Sequence, residues 1–204
     1  MNNNIGNNPA DQHLIEKVLS GDTQAFGTII KNTERLVAQI VFKMISNPED
    51  RKDMAQDIYL KAFKKLSGFK FQSKLSTWIA QISYNTCLDY LRKKKIIIPG
   101  NHYEESESQE DMMDKLNKEF YDTRGNTTAT LLRQKELSTI LKTEIEKLSP
   151  VYKTLITLYH NEELTYEEIE QITGLPSGTI KSYLFRARRT LKNNLSLNYK
   201  KEDL

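Results

Sequence analysis

Three stretches of the chain set residues at spacings able to do chemistry. The richest is 165-TYEEIEQITGLPSGTIKSYLFRARRTLKNNL-195. At 3.6 residues per turn, Ile180, Leu184, Ala187 and Leu191 make one inward stripe. The opposite arc then carries Gly178, Lys181, Ser182, Phe185, Arg186 and Arg189. Such a helix suits a DNA major groove. Lys181 and Arg186 can donate to phosphates or base edges, Thr179 and Ser182 can bond to either, and Gly178 allows close approach of the backbone. The plainer alternative is a solvated basic face. Modules of this shape also serve as protein contacts, so the pattern fixes a binding class and not a role.

The second stretch, 68-GFKFQSKLSTWIAQISYNTCLDYLRKKK-95, interleaves Phe69, Phe71, Trp78, Tyr84 and Tyr90 with Lys70, Lys74 and the run Arg92–Lys95. Rings beside cations suit a single strand, because an unstacked base lies on a ring while lysines hold the backbone. Trp78 falls on the apolar stripe and reads as core, leaving Phe71 and Gln72 as the better base contacts. Cys87 reads as a small buried filler. The third stretch places Asp50, Asp53, Gln56 and Asp57 beside Lys61 and Lys64. Asp53 and Asp57 share a helix face at i,i+4. No third ligand, histidine or glycine-rich phosphate cradle accompanies them, so an enzymatic reading is disfavoured. Carboxylates do not belong against DNA, and this face is expected to meet a protein.

Helices must position these groups. The periodicity predicts a short helix from Asp11 to about Leu19, then a second, capped by Asp22, to about Ile45. Ser46-Asn47-Pro48 breaks it. A third runs from Glu49 or Asp50 to Leu66, burying Met54, Ile58, Ala62 and nearby Phe63, and a fourth from about Ser76 to Lys94. Pro99-Gly100 and the run 104-EESESQEDMMD-114 mark a boundary. Residues 96–135 read as an acidic linker, with a helix possible near its end, long enough to tether two domains ~35 Å apart as a coil. Beyond it, Leu137, Ile140, Leu141, Ile145 and Leu148 form one helical stripe, closed by Ser149-Pro150. Val151, Leu155, Leu158 and Tyr159 form the next. Thr165 with Glu168 makes a capping box, Gly174 suits a left-handed turn, and Ser177 caps the following helix. A short helix, a three-residue turn and a second helix constitute a helix-turn-helix.

Composition narrows the classes. The 204 residues are 38% hydrophobic and 28% charged, with only 8 Gly and 5 Pro, which favours helices over a barrel or sandwich. Cys87 is the sole cysteine and the three histidines are scattered, so intramolecular disulfides and thiolate-rich metal sites are excluded. The start, MNNNIGNNPADQH, is not a signal peptide, and no apolar run approaches a spanning helix. A cytoplasmic protein without membrane insertion is expected. The net charge of +3 hides a division: residues 1–95 carry 15 bases against 9 acids, residues 96–135 carry 5 against 8, and Lys181–Lys201 holds seven bases and no acid. Two basic regions around an acidic middle fit a polyanion gripped twice.

With these segments in order, the chain resembles the bacterial sigma factors of the extracytoplasmic-function group. Three stretches carry the likeness: 53-DMAQDIYLKAFKKLSGF-69, 73-SKLSTWIAQISYNTCLDYLRKKK-95 and 174-GLPSGTIKSYLFRARRTLK-192. The resemblance implies core RNA polymerase contacts, on its clamp, at Asp53, Gln56, Asp57 and Lys61. It implies capture of a flipped minus-ten base in the loop Phe71, Gln72, Ser73 and Lys74. Asn85, Arg92 and Lys93 would hold the opened strand, with Trp78 and Asp89 on the same helix partly as scaffold. Duplex contacts at the minus-thirty-five element would come from Ser177, Gly178, Thr179, Lys181, Ser182, Tyr183, Arg186 and Arg189. The chain departs from the family pattern at Lys52, where an acid is usual, and at Tyr183, where an arginine is usual and one contact is lost. Met54 and Ala55 also differ, without changing their face.

The expectation is therefore an all-α protein. Two small helical domains, 11–95 and 136–198, are joined by the flexible linker 96–135, and the second contains the helix-turn-helix. It would direct core RNA polymerase, through clamp and flap contacts, to duplex and single-stranded promoter DNA. It would need no cofactor and no metal, supply no catalytic residue, and be held in check by an anti-sigma protein. The alternatives from the residues are a helix-turn-helix regulator that acts without melting a promoter, and a protein-interaction module.

Overall fold

Each helix of the first unit begins where a short polar side chain can accept a free backbone N–H. In this computed structural model, which describes residues 8–95 and 128–198, α1 (Pro9–Leu19) is capped by Asn8, whose side chain accepts from the Ala10 N–H at 3.1 Å. Asp22 caps α2 (Thr23–Met44) through the N–H groups of Gln24 and Ala25, at 2.9 and 3.2 Å. Asn47 caps α3 (Pro48–Lys65) at 3.0 Å to Glu49. Pro9 and Pro48 sit at first helical positions, where the missing N–H costs nothing. A single 3₁₀ turn, Leu66–Gly68, leads to the loop 69–74 and to α4 (Leu75–Lys93).

The second unit follows the same logic. It comprises α5 (Thr128–Glu146), α6 (Pro150–Ile156) and a π turn over Thr157–Asn161. Then come α7 (Tyr166–Thr173) and α8 (Ser177–Asn198). The capping box is present in full: Glu168 N–H donates to Thr165 Oγ1 at 3.2 Å, and Thr165 N–H donates to Glu168 at 3.0 Å. Gly174 takes the left-handed conformation, φ 70°, that ends α7. Ser177 is itself the first helical residue, with Ile180 N–H bonded to the Pro176 carbonyl, so it stands one place inside its expected cap. The helix at the linker's end begins at Thr128, ahead of the expected boundary at 136, and the acidic run 104–114 lies outside the described residues.

Most inward stripes hold, but on α5 Leu137, Ile140, Leu141 and Ile145 are only half-buried while Glu144 is buried. Ile29, Val37, Ile40, Ile58, Ile79 and Leu91 are buried in the first unit, and Leu155, Ile169, Ile172, Ile180, Leu184 and Ala187 in the second. Full burial of a side chain such as Ile58 or Ile79 stabilises by about 1.5–3 kcal/mol. Phe63 departs from expectation. It is 45% exposed, because its ring caps Phe26 edge-on at 5.0 Å on the outer side of the α2–α3 pair.

The larger surprise is α4. A surface helix needs one apolar stripe, yet besides the expected Cys87 α4 also buries Ala80, Ser83, Tyr84 and Thr86. Its inner face packs on α2 and α3, and another face packs on α7 of the second unit, while α6 packs on α2. The buried apolar residues of both units join in one cluster. Among the described residues three ion pairs cross between the units: Arg35–Glu162 at 3.3 Å, Lys74–Glu168 at 2.8 Å, and Lys43–Glu146. In all three the base belongs to the first unit and the acid to the second. Among the described residues no helix is long and apolar enough to cross a membrane, and no cluster of metal-ligating side chains occurs.

Candidate nucleic-acid interface

The loop between α3 and α4 is built on an aromatic ladder. Phe69 is buried, with the Phe71 ring 4.8 Å from it on one side and the Trp78 ring 5.2 Å away on the other. Phe71 holds its place at φ 56°, a left-handed conformation that L residues adopt at a cost. Beside the ladder opens a cleft of about 350 Å³ whose walls include Lys70, Gln72, Ser73 and Trp78. An aromatic flank, polar groups able to reach a base edge, and Lys70 at the rim make it chemically suited to one unstacked base with its phosphate. Phe71 does not line the cleft. It packs on Phe69 and shapes the loop, whereas Trp78, expected as core, is half-buried and forms a wall.

One feature of the cleft, and one of the loop beside it, were not expected from sequence. Gln171, on α7 of the second unit, is one of its walls. Lys74 is already engaged by Glu168. Burial would push the Glu168 carboxyl upward, but the Lys74 ammonium and the Thr165 N–H outweigh it and hold its pKa below the ordinary value. Further along α4, Asn85, Arg92 and Lys93 are exposed on the same helix as the cleft, and Arg92 reaches Asp89 at 3.6 Å.

On α8 the structure separates the expected duplex surface into two groups. Gly178 and Arg189 are exposed, and Ser177, Lys181, Ser182 and Arg186 are half-buried on the outward arc. Thr179 and Tyr183 are not on it: both are buried, and the Tyr183 ring meets Tyr152 edge-on at 5.3 Å. Position 183 precedes Leu184 of the inward stripe, so a ring there turns into the hydrophobic angle where a charged side chain would reach outward. Arg188 is tied to its own unit, donating to His160 Nε2 at 3.1 Å and lying over the Tyr159 ring. Burial, and then Arg188, hold His160 below its ordinary pKa, consistent with the neutral ring this bond needs. Lys181 Nζ sits 5.7 Å from the centre of the Tyr166 ring on the first helix of the motif.

The third surface is α3. Asp53, Gln56, Asp57 and Lys61 are all exposed along it, and Lys61 also donates to Thr86 Oγ1 on α4 at 3.3 Å. Leu60, 52% exposed, stands among them. A charged row with an uncovered leucine fits a protein partner better than a polyanion. Its helical register was legible from the charges, whereas the leucine's exposure depends on which face α2 and α4 cover.

Comparison with known proteins finds two family models on the chain. Residues 29–96 match the family model for sigma-70 region 2, and residues 138–191 match that for sigma-70 region 4. The chain is 31% identical over 185 residues to the extracytoplasmic-function sigma-E factor of Haemophilus influenzae, covering 91% of this chain and 95% of that one. It is 30% identical over 190 residues to the sigma-E factor of Escherichia coli and 29% over 181 residues to SigW of Bacillus subtilis. These cover 91% and 89% of this chain, and 94% of each relative. In fold it is similar to CnrH, solved in complex with the cytosolic domain of CnrY, with a TM-score of 0.59 at 19% identity over 93% of this chain and 99% of that one. It is similar also to the sigma factor RpoE of Bartonella quintana, solved with the anti-sigma factor NepR, with a TM-score of 0.57 at 20% identity over 87% and 100%.

Proposed function

The chain belongs to the extracytoplasmic-function group of RNA polymerase sigma factors and directs core RNA polymerase to promoters, and on that premise we propose how its surfaces divide the work. It is not itself an enzyme; phosphodiester synthesis belongs to the polymerase. The exposed row Asp53, Gln56, Asp57 and Lys61, with Leu60 among them, meets the polymerase clamp. The outward arc of α8, Ser177, Gly178, Lys181, Ser182, Arg186 and Arg189, docks on the duplex at the minus-thirty-five element. The cleft walled by Lys70, Gln72, Ser73 and Trp78 takes a base from the opened non-template strand at the minus-ten element, and Asn85, Arg92 and Lys93 guide that strand. Work of this kind places the protein in the cytoplasm.

The observation that carries this reading is the pairing of a base-sized aromatic cleft in one helical unit with a basic helix-turn-helix arc in the other. Each opened base pair costs about 1–2 kcal/mol, and contacts to a flipped base and to polymerase can offset that. A protein partner of the anti-sigma kind fits the uncovered α3 row, as the two solved relatives were each captured with a second protein. In vitro transcription from genomic fragments, with host core polymerase plus the full chain, tests the assignment. Promoter-specific starts that disappear in Lys181→Ala with Arg186→Ala, and weaken without loss of polymerase binding in Gln72→Ala, are expected. Unaltered starts in both variants would overturn the division of surfaces.

A further inference from the structure

Asn8, Asp22 and Asn47 cap α1, α2 and α3 from the position just before each helix, whereas Lys74 precedes α4 and makes no side-chain cap. The N–H groups of a first turn still need partners, and those of α4 follow directly on the loop 69–74. One partner comes from α1. A second cavity, of about 290 Å³, has walls that include Asp11, Lys74, Leu75 and Ser76. There the half-buried Asp11 carboxyl takes a hydrogen bond from the Leu75 N–H, which works against the burial that raises its pKa. The first turn of α4 therefore stands between two cavities: Thr77 and Trp78 wall the base cleft, Leu75 and Ser76 the other. At the loop's opposite end α1 packs on the 3₁₀ turn Leu66–Gly68. Between these anchors Phe71 holds φ 56°, a conformation that persists only where its surroundings impose it.

We infer that Asp11 is a positioning residue for base capture: from α1 it caps the first turn of α4 and so fixes the end of the loop whose Gln72 and Ser73 wall the cleft. The inference rests on the assignment of that cleft to an unpaired base. Asp11 itself touches no strand and acts through Leu75. Trp78 lies one turn further along α4, so a shift of the first turn moves a cleft wall together with the loop. A carboxylate suits this post in two ways. It accepts the N–H, and its charge is favoured at the positive end of a 19-residue helix. Asp11 stands ahead of residues 29–96, which match sigma-70 region 2, and α1 adds to that region a hold on both ends of the loop.

Three variants test it. Asp11→Ala removes the acceptor, Asp11→Asn keeps one, and Glu16→Ala removes an acid from an exposed position of α1. Trp78 is the only tryptophan and a wall of the cleft, so its quenching by acrylamide reports how open the cleft is in the full-length protein. In holoenzyme, on promoters found by the transcription assay, permanganate reactivity of thymines reports the opened strand and DNase protection reports upstream docking. Asp11→Ala is expected to raise Trp78 quenching and to cut permanganate reactivity about five- to tenfold, the scale of one helix cap. Core binding and upstream protection should stay within about twofold of wild type, Asp11→Asn should recover most of the loss, and Glu16→Ala should change nothing. An Asp11→Asn variant as defective as Asp11→Ala, or an equal fall in core binding and upstream protection, would overturn the positioning role. So would normal opening in Asp11→Ala beside poor opening in Gln72→Ala, and the cleft assignment would then stand. Normal opening in both Asp11→Ala and Gln72→Ala would overturn the cleft assignment and the inference with it.

Discussion

The ring of Tyr183 meets that of Tyr152 edge-on, 5.3 Å between centroids, so a residue on the helix that carries the proposed duplex arc points into the domain instead of outward. It is 4% exposed. Tyr183→Ala should therefore act on stability, costing about 3–5 kcal/mol in a chemical denaturation experiment, as large-to-small changes in a packed core do. A loss under about 1 kcal/mol, with promoter affinity falling instead, would return Tyr183 to the DNA surface.

Lys181 and Arg186 behave differently. Each removed phosphate contact should lower the slope of log affinity against log salt by about one, with little change in folding. Duplex binding by holoenzyme measured between 50 and 200 mM salt checks this, and a slope unchanged in both single alanine variants contradicts it.

Gly174 holds φ 70° with open space where a side chain would extend. Gly174→Ala is then strained by backbone alone and should cost about 1 kcal/mol, with Gly174→Asn costing less because asparagine tolerates this region. Equal stability of all three forms, in urea melts of the full chain, would contradict that account.

The alkaline side of the stability profile should fall first. Burial pushes the Cys87 thiol up to about 12 against the opposing effect of Lys61. Burial, helped by neighbouring Tyr183, pushes the Tyr84 phenol up to about 12. Raised folded values keep both groups protonated in the native state, so their contribution is complete below the unfolded values, near 9 and 10, and is lost as pH climbs toward 12. Urea midpoints declining between pH 9 and 11 are expected, together with a Cys87 thiol inert to Ellman's reagent at pH 8 until the chain is unfolded. A thiol that reacts at once in native protein contradicts the burial.

On the acid side the sign reverses. Glu146 and Glu168 are held below their ordinary values, in each case against burial: Glu146 by Lys43 of the first unit and by Lys153 of its own, Glu168 by Lys74 of the first unit and by the Thr165 N–H. Their contribution is present above the ordinary carboxylate range and is lost as pH falls through the lowered folded values. Trp78 quenching should therefore increase below about pH 4.5 before helix content drops. Simultaneous loss of both signals would contradict an early parting of the units.

The sequence alone determined the elements and most of the outward arcs. Asp22, the Thr165–Glu168 box and Gly174 act within a few residues of where they stand, and the stripe Ile180, Leu184, Ala187 and Leu191 repeats with the helix itself, so local chemistry and period sufficed to place them. The charges of α3 were legible for the same reason. What only tertiary structure decided is which second face of a helix is covered. Burial of Tyr84 and Tyr183, exposure of Leu60 and Phe63, and the reach of Lys74 to Glu168, 94 residues away, depend on how helices distant in sequence pack on one another. Periodicity tells a side chain's angle around its own axis; it carries no information about a helix that arrives from beyond a long linker.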